Sequence, residues 1–206
     1  MPNELIYALT GLLCYFVGAI PSGYILVKLK TGKDIRTMGS GNIGATNVWR
    51  LYGRRLGAPV VVLDVLKGFI PAFVAMQFVS PPHLAGIAAG GAAMLGHWRP
   101  LFLGFAKGGK TVATCGGVFF GVAVWVALSA GVVWLTVFLI VRYASVASIV
   151  AGISLPVFAV IYGYPTSVVL FGVAAACAIL FLHRANLARL RAGTESRFHF
   201  RRAARA

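Results

Sequence analysis

The chain has 206 residues, of which 59% are hydrophobic and only 11% charged, and its Lys and Arg outnumber Asp and Glu by 19 to 4, for a net charge of +15. Soluble domains average about 45–50% apolar and about 25% charged residues, so this composition excludes an ordinary water-soluble globule. The basic residues flank apolar runs, which fits lipid headgroups and positive cytoplasmic loops and excludes a nucleic-acid partner.

In chain order, apolar runs fall at 5–27, 57–79, 83–98, 112–142, 145–162 and 166–183. A transmembrane helix needs about 20 such residues. Met1 to Glu4 carries no Lys or Arg and no small-residue cleavage site follows, so the first run reads as a retained helix and not a signal peptide.

Charge then sets the sidedness. The loop 28–56 holds Lys28, Lys30, Lys33, Arg36, Arg50, Arg54 and Arg55; the loop 99–111 holds Arg99, Lys107 and Lys110; Arg142 stands alone; the tail 184–206 is arginine-rich. The opposite connections, Ser80-Pro81-Pro82 and Gly163-Tyr164-Pro165, have no basic residue. The rule that positive loops stay inside predicts cytoplasmic loops and tail, with the N-terminus outside. A single crossing by 112–142 would put Arg142 and the tail outside. A break near Ser129-Ala130-Gly131 is therefore expected, giving 112–128 and 130–142. The predicted fold is all-α: one polytopic transmembrane bundle of seven helices over 1–206.

The polar chemistry gathers in the loops. Gly39-Ser-Gly-Asn-Ile-Gly44 matches a dinucleotide fingerprint with Asp64 twenty residues on, but a cationic connection precedes it where a buried strand is required. What survives is a glycine loop bearing Ser40, Asn42, Thr46 and Asn47. Asp64 and Lys67 stand three apart in an apolar run and share a helix face. Charges at that depth face the interior, as a structural ion pair or as substrate contacts. His97 ends the third run beside the second glycine loop, and His183 opens the tail as an interfacial residue; His83 and His199 carry no expected role.

Gly104-Phe-Ala-Lys-Gly-Gly-Lys-Thr111 matches the P-loop pattern, and Val60 to Asp64 imitates its partner strand, but in reversed order and inside a membrane run. Its backbone N–H groups at Gly108 and Gly109, with Lys107 and Lys110, remain suited to a phosphate. Trp49, Trp98 and Tyr143 fit an interfacial aromatic belt. Cys14, Cys115 and Cys177 read as packing residues. The acidic residues are too few and dispersed for a magnesium site, so neither metal nor cofactor is expected.

The stretches Gly39–Arg50, Asp64-Val-Leu-Lys-Gly68, Gly96-His-Trp-Arg-Pro-Leu-Phe-Leu103 to Gly108-Gly-Lys-Thr-Val-Ala-Thr114, and His183–Glu195 together resemble the signature motifs of the bacterial acyl-phosphate:glycerol-3-phosphate acyltransferases. The resemblance covers essentially the whole chain. Two departures stand out: Ala106 is inserted after Phe105, and Thr111 replaces a small residue, leaving open which of Lys107 and Lys110 takes the phosphate-binding position.

The resemblance implies transfer of a fatty acyl group from acyl phosphate to the sn-1 hydroxyl of glycerol 3-phosphate, giving lysophosphatidic acid and inorganic phosphate. No His is followed five positions later by Asp, the dyad of other glycerol-phosphate acyltransferases, and the family is thought to use a substrate phosphate as base. Arg50 and Lys110, with Lys107, are then expected to hold the glycerol phosphate. Ser40, Asn42 and Thr46 would position the acyl donor, His97 would orient a phosphate, and Asn186 would close the site. The competing class is a transporter of a phosphorylated anion, disfavoured because the outer connections carry no polar vestibule.

Overall fold

The structure, a computed structural model, describes residues 3–198; His199 and the last arginines lie outside them. Among the described residues the chain is all-helical, and it divides into two compact units, one ending at Val122 and one beginning at Ala123.

The first unit holds α1 (Asn3–Ala19), α2 (Ser22–Thr31), α3 (Ala45–Tyr52), α4 (Arg54–Phe78), α5 (Pro82–Trp98) and α6 (Val112–Val122), with short 3-10 turns at Ile35–Thr37 and Leu101–Leu103. The first apolar run is thus two helices, not one. Pro21 lacks an N–H and interrupts the ladder between them. α2 ends on Gly32, whose left-handed backbone (φ 70°) lets its N–H reach the Lys28 carbonyl.

Small residues let the helices approach until backbones touch, the usual solution where lipid provides no hydrophobic drive. A Cβ on Gly18 would collide with the Ala93 carbonyl and one on Gly96 with the Tyr15 carbonyl, which locks α1 to α5. Gly68 meets the Thr114 carbonyl and Gly117 the Val65 carbonyl, so α4 and α6 pack equally closely.

The second unit holds α7 (Val124–Val141), α8 (Ala144–Ile161), α9 (Thr166–Leu182) and α10 (Arg184–Arg191), packed as sequential neighbours. Trp134 Nε1 donates to Ser148 Oγ at 3.1 Å between α7 and α8, and Gly172 of α9 lies against Pro156 of α8.

Two further expectations change. The predicted break at Ser129-Ala130-Gly131 does not occur: α7 runs through all three, and the interruption sits at Ala123 (φ −156°, ψ 72°). The Ser129 hydroxyl is bonded to Tyr162 Oη at 2.7 Å and does not compete for its own backbone. Gly131 in a helix costs only about 1 kcal/mol, too little to break one. Cys14 and Cys115 are buried as expected, but Cys177 is exposed and is not a core residue.

Among the described residues, four helical stretches are able by length and composition to cross a bilayer: Glu4–Thr31, Arg54–Phe78, Val124–Val141 and Ala144–Ile161. A fifth follows if Thr166–Leu182 and Arg184–Arg191, bent by 53°, count together. α6, with 11 residues, is about half as long as the roughly 30 Å hydrocarbon layer is thick.

Candidate active site

Loop one is held from beneath by a small apolar core: Val27 of α2, Ile35, Ile43, Val48 of α3 and Val60 of α4 are all buried together. Asp34 accepts from the backbone N–H of Arg36 and pairs with its guanidinium at 2.6 Å. That hydrogen bond holds the Asp34 carboxyl below its usual range, and the same Arg36 lies over the Tyr24 ring. The connection is therefore fastened before the glycine motif begins.

Asn47 organises the motif. Its side chain is buried; Oδ1 accepts from the Ser40 N–H at 3.0 Å, and Nδ2 donates to the carbonyls of Asn42 (2.9 Å) and Met38 (3.1 Å). Gly39 and Gly41 take positive φ of 57° and 67°, which L side chains resist, and a Cβ on Gly39 would collide with Asn47 Oδ1. The result presents Ser40 and Thr46 at the surface, with Arg50 half-buried in the last turn of α3.

Asn42 joins the two glycine loops. Its Oδ1 accepts from the Gly44 N–H at 2.8 Å, while its Nδ2 donates to the Gly108 carbonyl at 3.2 Å. The second loop is tied to the end of α5: Gly108 N–H donates to the Trp98 carbonyl (2.9 Å) and Gly109 N–H to the His97 carbonyl (3.0 Å). These two amides were expected to cradle a phosphate. The structure gives both a backbone partner instead, and the glycines serve close packing, since a Cβ on Gly109 would collide with His97 Nε2. Lys110, half-buried, follows directly, whereas Lys107 is exposed.

Behind the loop lies the ion pair. Lys67 Nζ sits 2.8 Å from Asp64 Oδ1 and donates to the Ile20 carbonyl at 3.0 Å, where the α1–α2 break has freed it from the helix ladder. Asp64 Oδ1 is also 3.8 Å from His97 Nδ1. All three side chains are buried. Thr111 and Thr114, at the start of α6, carry buried hydroxyls with no hydrogen-bond partner. An apolar groove of about 290 Å³ opens between the α1–α2 segment and α4, walled by Ile20, Ile25, Leu63, Leu66 and Ile70 with the Lys67 stem at its side.

Asn186 belongs to the second unit, within α10. Its Nδ2 donates to Glu195 Oε1 at 2.6 Å; Ser145 Oγ donates to the same oxygen at 2.9 Å, and Arg189 Nε to Oε2 at 2.7 Å. Sequence reasoning missed Ser145, Arg189 and Glu195. Glu195, nine residues beyond Asn186 in a motif nearly devoid of acid, was the available signal. Buried His183 directs Nδ1 at the Ile179 carbonyl, 2.8 Å away, and so caps α9.

Among the described residues no group of His, Cys, Asp or Glu is arranged to hold a metal, and no strand flanks either glycine loop. The arrangement instead offers hydroxyls and cations on two linked loops beside buried charges, a setting for an anion with an apolar tail. The family model described as Glycerol-3-phosphate acyltransferase matches residues 8–193. The chain belongs to the glycerol-3-phosphate acyltransferase family.

Its relatives agree along nearly their whole length. A glycerol-3-phosphate acyltransferase of Aquifex aeolicus (strain VF5) is 46% identical over 184 residues, 89% of this chain and 95% of that protein. One from Geobacter sulfurreducens (strain ATCC 51573 / DSM 12127 / PCA) is 44% identical over 199 residues, 96% of this chain and 99% of its own. The crystal structure of PlsY (YgiH), an integral membrane glycerol 3-phosphate acyltransferase, in its glycerol 3-phosphate form, superposes with a TM-score of 0.89 at 44% identity, over 94% of this chain and 96% of that one. The lysophosphatidic acid form gives 0.85 at 42% identity, over 94% and 95%. This acyltransferase-family chain is accordingly an integral, multi-pass membrane protein.

Proposed function

We propose that the chain transfers a fatty acyl group from acyl phosphate to the sn-1 hydroxyl of glycerol 3-phosphate, producing lysophosphatidate and inorganic phosphate. The observation that supports this most is the Asn42–Gly108 hydrogen bond, which draws two polar loops from distant parts of the chain into one site.

Acyl phosphate is a mixed anhydride with a good leaving group, so no strong enzymic nucleophile is needed. The sn-1 oxygen attacks the acyl carbonyl carbon, the bond from that carbon to the phosphate oxygen breaks, and the hydroxyl proton passes to a substrate phosphate. What the protein supplies is positioning and charge stabilisation. Arg50 and Lys110 hold the glycerol phosphate, Arg by paired hydrogen bonds and Lys as a point charge; Lys107, exposed at the loop edge, draws the anion in. Ser40, Asn42 and Thr46 place the acyl phosphate, Asn47 keeps their loop in shape, and His97 orients a phosphate. The groove beside α4 takes the acyl tail.

The same reading places seven spans in a bacterial inner membrane, with the N-terminus outside and the loops and C-terminal tail in the cytoplasm, where glycerol 3-phosphate is available. The uncharged connections at 80–82 and 163–165 against the basic loops support that orientation. The short α6 completes its crossing within the protein, beside α4.

The test is phosphate release by detergent-solubilised protein given acyl phosphate and glycerol 3-phosphate. Release that requires both substrates supports the proposal. Turnover only with acyl thioesters, or none in the absence of two compartments, refutes it. Thiol labelling of single-cysteine variants at 163–165 and 28–56 from each side tests the orientation.

A further inference from the structure

We infer that Asp64 and Lys67 are positioning residues: acting through His97, they set the Gly108–Lys110 turn and hence the place where Lys110 presents its ammonium. The inference rests on the acyl-transfer reading of this site.

Four links carry it. Lys67 and Asp64 are 5% and 2% exposed, and their charges are turned toward each other at 2.8 Å. The Lys67 ammonium is already divided between the Asp64 carboxylate and the Ile20 carbonyl. The Asp64 oxygen nearest Lys67 also faces His97 Nδ1 at 3.8 Å, within reach of its charge but beyond a hydrogen bond. His97 in turn grips the loop twice: its carbonyl accepts from Gly109 N–H, and its ring lies so close to Gly109 that a Cβ there would collide. Lys110 is the next residue. Displacement of the imidazole therefore displaces the turn, and with it the Lys110 backbone.

A buried ion pair is weak evidence for stability, because desolvating two charges offsets most of their attraction. At membrane depth the cost is larger. A pair kept under those conditions, and wired to the end of α5, fits positioning better than bulk stabilisation.

The decisive experiment is a cycle between this pair and Lys110. Asp64→Asn/Lys67→Met removes both charges together and leaves neither uncompensated, so the fold is expected to hold. Glycerol 3-phosphate affinity and kinetics are measured for the wild type, the double variant, Lys110→Ala and their combination, each with its melting temperature. The expected result is a KM for glycerol 3-phosphate raised about tenfold with little change in kcat, the size of coupling seen between neighbouring residues. In the Lys110→Ala background the same change is expected to add no more than about twofold.

Equal losses in both backgrounds, or an unchanged KM, overturn the positioning role. Should the double variant fail to fold, Gly109→Ala, which crowds the His97 ring from the loop side, is put through the same cycle: a KM effect that vanishes without Lys110 supports the role, and an additive effect or none overturns it. Wild-type turnover is scored separately: its absence overturns the acyl-transfer reading too, while turnover with an additive cycle overturns this inference alone.

Discussion

Asn42 donates from its side-chain amide to the carbonyl of Gly108, 66 residues further along the chain, while its Oδ1 shapes its own turn by accepting from Gly44. One side chain thus sets a local bend and joins two loops. Asn42→Asp separates the roles, because the acceptor stays and the donor is lost. It also places a carboxylate against the Gly108 carbonyl. The expected outcome is a modest fall in melting temperature, consistent with losing a hydrogen bond worth about 0.5–1.5 kcal/mol, and a glycerol 3-phosphate KM raised about tenfold as the two loops part. Steady-state kinetics at fixed acyl phosphate measure it.

The polar residues of the site should matter unequally. Ser40→Ala, Arg50→Ala, His97→Ala and Lys110→Ala are each expected to lower kcat/KM by about a hundredfold or more, in line with removing a charged or preorganised partner of a bound phosphate or of developing charge. Lys107→Ala, at an exposed position, should cost about threefold or less, as rim charges do. Arg50→Lys is expected not to restore activity, since an ammonium does not reproduce paired guanidinium bonds. Turnover of the purified variants decides each case; four unimpaired alanine variants would refute the assignment.

Thr111 carries a left-handed backbone (φ 62°), unusual for a β-branched residue, and its hydroxyl is buried without a partner. Left-handed geometry costs an L residue about 1–2 kcal/mol, part of which glycine gives back through the entropy of the unfolded chain. Thr111→Gly is therefore expected to raise thermal stability, by up to about 1 kcal/mol. A lower melting temperature in detergent would show that packing around the Thr111 methyl outweighs the strain.

Glu195 supplies a pH signature. Burial pushes its carboxyl up, but hydrogen bonds from Asn186, Arg189 and Ser145 together outweigh burial and hold it below the ordinary glutamate range. With the folded-state pKa lowered, the ionised form stabilises the fold fully above the unfolded pKa of about 4.3, and that contribution is lost as pH falls through the folded value. Melting temperature should decline from about pH 5 downward. The decline should be shallower in Glu195→Gln, which cannot titrate. Parallel curves would exclude the Glu195 cluster as the cause.

Much of this was legible in the chain itself. Apolar runs placed the helices because a bilayer demands length and uniform hydrophobicity, and the i, i+3 spacing of Asp64 and Lys67 announced their ion pair. Other features were hidden for physical reasons. The break at Ala123 has no proline at it, and nearby Gly121 serves packing against α4 within α6, whereas Ser129 and Gly131 looked like breakers and sit quietly in α7. No pattern revealed that Asp64 faces His97, because the two lie on different helices and meet only through packing. The Gly108 and Gly109 amides matched an anion cradle by residue type; their hydrogen bonds to Trp98 and His97 depend on how the chain leaves α5.

Those two bonds carry an evolutionary consequence. Main-chain amides cannot be exchanged by mutation, but ammonium, guanidinium and hydroxyl groups can. With the Gly108 and Gly109 amides holding up architecture, anion recognition falls to replaceable parts. Substrate preference in this scaffold is then free to drift one residue at a time, without rebuilding the loop that supports it.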